Sequence, residues 1–169
     1  MKRISRRQFL QGSAALAGSA MASGIVSSNV RAEEKSKMGA SKKVRIGIVG
    51  GGFGCAFQWH LDPDCIVQAV SDLREDRRKA LVNTYKCNNV YNSLEELIKD
   101  KNVDAVAVFS GAADYVKHSV ACMKAGKHVI SAVPACINLE QAEELLAVQK
   151  QTGLTYMMAE TSYYHPVMI

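Results

Sequence analysis

Val44-Arg45-Ile46-Gly47-Ile48-Val49-Gly50-Gly51-Gly52-Phe53-Gly54-Cys55 decides the fold of this chain. Val44–Val49 is a short apolar run rich in β-branched residues and bounded by glycine, which reads as a buried strand. The glycines that follow form a tight turn, and Phe53–Leu61 is expected to be a short helix. A strand, a glycine turn and a helix in that order are the context a dinucleotide-binding fingerprint requires. Gly50 permits the turn, and Gly52 lets the backbone approach a pyrophosphate with no Cβ in the way. The helix start is expected to offer free N–H groups to the phosphates. The third fingerprint position falls on Cys55, a small residue where glycine or alanine is usual.

Outward from this stretch the chain alternates between strand and helix. Ile66–Ser71 reads as a second strand, Glu75–Lys86 as a helix with Ala80, Leu81 and Tyr85 on one face, and Val90-Tyr91 as a brief third strand. Ser93 opens a helix through Asp100, with Glu96 completing a capping box. Val103–Phe109 reads as the fourth strand, Ala113–Ala125 as a helix ended by Gly126, and His128–Ser131 as the fifth strand. Asn138 caps a helix through Thr152, Gly153 ends it, and Leu154–Ala159 is the sixth strand. Strands apolar throughout must be covered on both faces. The expected fold is therefore α/β, a doubly wound parallel sheet with strand order 3-2-1-4-5-6.

Asp72 stands at the end of the second strand, 20 residues past Gly52. An acid there accepts hydrogen bonds from the adenosine ribose hydroxyls and repels a 2′-phosphate, which favours NAD over NADP. Arg74, two residues on, could neutralise that phosphate and keeps NADP open. The competing reading makes Asp72 an ordinary strand-end turn residue. Glu160, Tyr163, Tyr164 and His165 follow the sixth strand, at the sheet end where ligands bind. Tyrosine and histidine suit proton transfer; the bland alternative is a bridge to a further domain. His60 reads either as a cleft residue or as a helix-end cap, His118 as a solvated helix residue, and His128 as support for its strand.

The net charge of +5 does not mark a nucleic-acid binder. Lys2, Arg3, Arg6, Arg7 and Arg31 lie in residues 1–32, which hold no acid; without these five, 16 of the 21 basic residues remain to balance 16 acidic ones. A basic start followed by a Gly/Ala/Ser-rich stretch reads as a targeting segment. Ser5-Arg6-Arg7-Gln8-Phe9-Leu10 matches the twin-arginine pattern, and the reading is export to the periplasm or the extracellular space. Cleavage is expected after Ala32, with Ala22 as the other small-x-small site. Gly12, Gly18 and Gly24 dilute the apolar run, so no membrane span is expected in the mature form. Five scattered cysteines show no Cys-x-x-Cys pair and no histidine spaced as a zinc partner, so no metal site is expected.

Four stretches together resemble the Gfo/Idh/MocA oxidoreductase family. They are Val44–Gly52, Val70-Ser71-Asp72, Val103-Asp104-Ala105-Val106 and Ala125-Gly126-Lys127-His128-Val129, and the likeness covers about residues 43–166. The resemblance implies an NAD(P)-binding Rossmann domain over 43–160, after a leader at 1–32 and a linker at 33–42. It implies that 161–169 begin the connection to a C-terminal substrate domain that this chain lacks, and that any homo-oligomer forms through that domain. It implies a hydride-transfer oxidoreductase acting on sugars, polyols or their derivatives. The cofactor residues it implies are Gly50, Gly52, Phe53, Gly54, Asp72, Leu73, Ser110, Gly111 and Ala132.

Two departures touch the chemistry. The family's Glu-Lys-Pro after the fifth strand is Ala132-Val133-Pro134 here, which keeps a proline able to form a cis bond and loses the lysine. Its Thr-Pro after the fourth strand is Ser110-Gly111, and Tyr115 stands at the position of its histidine. The catalytic group is thus left unassigned, with Tyr115, Tyr163, Tyr164 and His165 as candidates. A binding or scaffold protein that keeps its dinucleotide without turnover is the alternative to an enzyme.

Overall fold

The computed structural model describes residues 43–161. The leader, the linker, Tyr163, Tyr164 and His165 lie outside the described residues. Six parallel strands form one sheet: β1 (Val44–Val49), β2 (Cys65–Ser71), β3 (Val90–Tyr91), β4 (Ala105–Val108), β5 (His128–Ala132) and β6 (Tyr156–Ala159). Their order is β3-β2-β1-β4-β5-β6, as the alternating pattern predicts. Consecutive residues Ile46 to Val49 and Val106 to Val108 are buried, so both faces of the central strands are covered. Ile48, Val70, Leu81, Leu97, Val106, Val108 and Met123 form the centre of the core.

The helices are α1 (Gly51–Gly54), α2 (Glu75–Tyr85), α3 (Leu94–Leu97), α4 (Tyr115–Lys124) and α5 (Leu139–Thr152). Capping boxes set two of their starts. Ser93 Oγ accepts the Glu96 N–H at 3.3 Å while Glu96 accepts the Asn92 N–H. Asn138 Oδ1 accepts the Gln141 N–H at 2.9 Å while Gln141 accepts the Ile137 N–H. On α2, Leu81 and Tyr85 are buried and Ala80 is exposed, so Ala80 is not part of the inward face.

One expected element is replaced. Phe53–Leu61 is not a helix: α1 is a single turn, and Trp59–Leu61 is a separate 3₁₀ turn. Three glycines in four residues make a poor helix. The aromatic residues that follow pack elsewhere. Phe57 stacks on Phe109 at 4.7 Å and on Trp59 at 5.2 Å, while Phe53 meets both Phe57 and Phe109 edge-on. Tyr85 donates to the carbonyls of Gly54 and Phe57.

Candidate dinucleotide site

The sheet order reverses between β1 and β4, which opens a crevice at their carboxyl ends. Gly50 sits on one side of it and Ser110 on the other. The Gly50 N–H bonds the Ser71 carbonyl at 2.9 Å, and the Phe109 N–H bonds the Val49 carbonyl at 2.7 Å. A cavity of about 260 Å³ lies here, walled by Gly50, Ser71, Asp72, Arg77, Ser110 and His118 among others.

The glycines divide by what a side chain would meet. At Gly50, with φ of 101°, a Cβ would lie 2.2 Å from the Phe109 carbonyl oxygen. At Gly51 it would lie 2.6 Å from the Arg77 carbonyl oxygen, and at Gly54 2.9 Å from Ile48. Packing alone requires these three. Gly52 differs: it is exposed, and a Cβ there would only touch the Arg77 guanidinium at 3.5 Å. The fold does not need glycine at 52, whereas a closely approaching ligand does. The close helix–strand packing expected of Cys55 is carried by Gly54, which is buried against Ile48 and Phe109.

Asp72 is buried, and both of its carboxylate oxygens are engaged. Oδ2 accepts the Gly51 N–H at 2.7 Å and Oδ1 the Arg74 N–H at 2.8 Å. The acid therefore ties the end of β2 to the glycine turn, and any ribose contact would use its remaining lone pairs. Arg74 pairs with Asp76 at 2.7 Å on the surface. Arg78 donates to the backbone carbonyls of Asp72 and Leu73. Leu73 is exposed on the cavity wall. Ser71 is fully buried in the same wall, and its hydroxyl lacks a partner among the described residues. An open turn, an unpartnered hydroxyl and an apolar side chain fit a nucleotide.

The model of the oxidoreductase family with an NAD-binding Rossmann fold, Gfo/Idh/MocA, matches residues 44–160. The chain belongs to this family. A twin-arginine translocation signal matches residues 3–23. The chain is 35% identical to the myo-inositol 2-dehydrogenase of Thermotoga maritima over 114 residues, 66% of this chain and 34% of that protein. It is 25% identical to a glycosyl hydrolase family 109 protein of Streptomyces coelicolor over 94% of this chain and 39% of that protein. Its fold superposes on KijD10, a 3-ketoreductase from Actinomadura kijaniata in complex with NADP and TDP-benzene, with a TM-score of 0.68 and 26% identity. That match covers 73% of this chain and 39% of KijD10. The chain thus spans about a third of the length of the first of these relatives.

The motifs shared with the Gfo/Idh/MocA family now have local causes. Asp104 of the Val-Asp-Ala stretch grips Arg45 at the start of β1 with paired bonds of 2.7 and 2.9 Å. Lys127 is buried, and its ammonium donates to the carbonyls of Asp100 at 2.7 Å and Val103 at 2.8 Å, closing the loop into β4. His128 Nδ1 accepts the Thr155 N–H at 3.0 Å and so pins β6 to β5. Gly126, with φ of 79°, ends α4. The Ala-Gly-Lys-His-Val stretch is structural.

The family positions that would carry chemistry are placed as follows. The Val133–Pro134 bond is cis, as its sequence allows, and Val133 is exposed in the loop after β5. Ala132 is buried at the end of β5, and Gly111 follows Ser110 outside β4. Phe53 is 43% exposed. Tyr115 belongs to the core, and burial holds its phenol above the usual range. That placement favours packing over proton exchange. His60 is exposed and meets the Tyr85 ring edge-on at 5.5 Å.

His118 is not merely a solvated helix residue. Its Nδ1 lies 2.7 Å from Ser110 Oγ, and both line the cavity. Asp114, the residue that precedes α4, lies four positions before His118 and lines the same cavity. Arg77 and Glu95 also line the cavity and were not picked out from sequence. The available signal was position: each lies in the first turn of a helix leaving the carboxyl edge of the sheet. All five cysteines are free, with Cys87 and Cys122 buried.

Proposed function

We propose that this chain is the dinucleotide-holding part of an exported NAD(P)-dependent oxidoreductase that acts on sugars, polyols or their derivatives. The observation that carries the reading is the exposed Gly52, a glycine that packing does not require, next to the guanidinium of Arg77, which lines the same cavity as Asp72. NAD is the favoured cofactor, because a carboxylate at the end of β2 would repel a 2′-phosphate, and NADP remains the alternative. A bound nicotinamide supplies a hydride acceptor or donor for a substrate carbinol carbon. The residues of this chain do the holding. Gly50, Gly52, Phe53 and Gly54 shape the turn on which the pyrophosphate rests. Asp72 and Leu73 bound the adenosine ribose, and Ser110, Gly111 and Ala132 bound the far wall.

Proton transfer must come from elsewhere than position 133, since valine neither donates nor accepts a proton. Tyr163, Tyr164 and His165 are the candidates within this chain, and a further domain after residue 161 is the other source. The same valine supports the second reading, a protein that holds its dinucleotide without turnover. Purified protein assayed for nicotinamide reduction with a panel of polyols separates the two. Steady, protein-proportional reduction supports the enzyme, and dinucleotide binding without reduction supports the scaffold. The export half rests on Arg6 and Arg7. Replacing both with lysine is expected to hold the protein in the cytoplasm, and unchanged export would contradict that half.

A further inference from the structure

We infer that Arg77 is a phosphate ligand of the bound dinucleotide. The inference rests on the proposed reading that the dinucleotide lies on the glycine turn. Three arginines, Arg74, Arg77 and Arg78, cluster around the start of α2. Two are committed within the protein. Arg74 is paired with Asp76, and Arg78 holds the carbonyls of Asp72 and Leu73. Among the described residues the Arg77 guanidinium has no hydrogen bond or ion pair. It is nonetheless placed, because the Arg77 backbone packs on Gly51 and its guanidinium lies 3.5 Å from where a Gly52 Cβ would be. The space left open by the missing side chain thus has a positive fork at its rim, in the wall of the cavity.

The one-turn α1 makes this charge more consequential. A long helix would present an aligned set of peptide dipoles to a phosphate; a four-residue turn presents little. The other ionised groups of the cavity wall are mostly acidic: Asp72, Glu95 and Asp114, with Arg74 already paired. An anionic ligand therefore finds its free cation at Arg77. A guanidinium matches phosphate oxygens with two parallel N–H donors, which an ammonium cannot do. Two phosphates of a dinucleotide could occupy this position, the pyrophosphate and the 2′-phosphate of NADP.

The test is calorimetric titration of the full chain and its Arg77→Gln and Arg77→Lys variants with NADH, NADPH and adenosine. Glutamine keeps the Cβ that packs on Gly51, and thermal melting checks that each variant folds. The expected result is a loss of at least about tenfold in dinucleotide affinity for Arg77→Gln, partial recovery in Arg77→Lys, and unchanged binding of adenosine, which has no phosphate. Equal loss for NADH and NADPH assigns the pyrophosphate, and loss for NADPH alone assigns the 2′-phosphate. Unchanged dinucleotide affinity in a folded Arg77→Gln overturns the inference while leaving the proposed function intact. Equal loss for adenosine overturns it as well. Absence of dinucleotide binding by the unmutated chain overturns both.

Discussion

The Asp72 carboxylate reaches across from β2 to take the Gly51 N–H at 2.7 Å, so the acid and the glycine turn are one structural unit. The carboxylate that would select the ribose also sets the backbone on which the pyrophosphate would rest. If Asp72 holds the ribose as proposed, stability and binding are coupled through this bond.

Asp72→Ala is expected to lower both. It leaves the buried Gly51 amide without an acceptor, which costs about 1–3 kcal/mol. For a domain of this size that is a fall of several degrees in Tm. Asp72→Asn keeps one acceptor oxygen and should lose less. Thermal unfolding followed by circular dichroism measures the loss. An unchanged Tm in Asp72→Ala would show that the bond does not hold the turn.

Lys127→Met should destabilise the domain without touching the cavity. Two carbonyls, those of Asp100 and Val103, lose their charged donor beneath a side chain that is only 8% exposed. The buried Val103 carbonyl is then left unmet, which costs about 1–3 kcal/mol, while the part-buried Asp100 carbonyl keeps the Val103 N–H at 3.3 Å. Denaturant unfolding should show a lower midpoint, while NADH affinity below the transition stays unchanged. A midpoint equal to that of the unmutated chain would contradict the structural role of Lys127.

Alkaline pH is expected to unfold the domain in a defined window. Burial, with smaller contributions from Cys55 and Cys65, pushes the Tyr85 phenol from its ordinary value of 10.0 up to about 12. The folded state then binds the phenolic proton more tightly than the unfolded state. Tyr85 therefore contributes stability that is full below pH 10 and is lost as pH rises toward about 12. Cys122, pushed up to about 12 by burial, acts in the same direction. Tyr85→Phe should flatten the alkaline decline and should also lower stability at neutral pH, because the buried Gly54 carbonyl and the part-buried Phe57 carbonyl lose their donor. An identical alkaline slope in the variant would contradict this assignment.

Most of the fold was legible because each strand and long helix is written locally. Val44–Val49 and Val103–Phe109 are apolar apart from Arg45 and Asp104, and Ser93 and Asn138 announce their helices with capping boxes. The stretch after Phe53 was not legible. Its conformation depends on Phe57 stacking against Phe109, a contact 52 residues away in sequence that no local pattern encodes. The site divides in the same way. Gly50 and Asp72 are found by their spacing. The pairing of Ser110 with His118 and the guanidinium of Arg77, unpartnered among the described residues, depend on how α4 and α2 turn toward the crevice, which periodicity alone leaves open at a helix start.

The central claim, that the glycine turn holds a dinucleotide, is tested most directly by titrating the chain, Gly52→Val and Gly50→Ala with NADH, each checked by thermal melting. The only tryptophan, Trp59, is part of the aromatic cluster beside the turn and reports binding by quenching. The account predicts saturable binding by the unmutated chain and no binding by a Gly52→Val chain that melts at nearly the same temperature. Gly50→Ala, which forces a Cβ to 2.2 Å from the Phe109 carbonyl oxygen, should instead fail to fold normally. Equal NADH affinity in folded Gly52→Val, or no saturable binding by the unmutated chain, would contradict the claim.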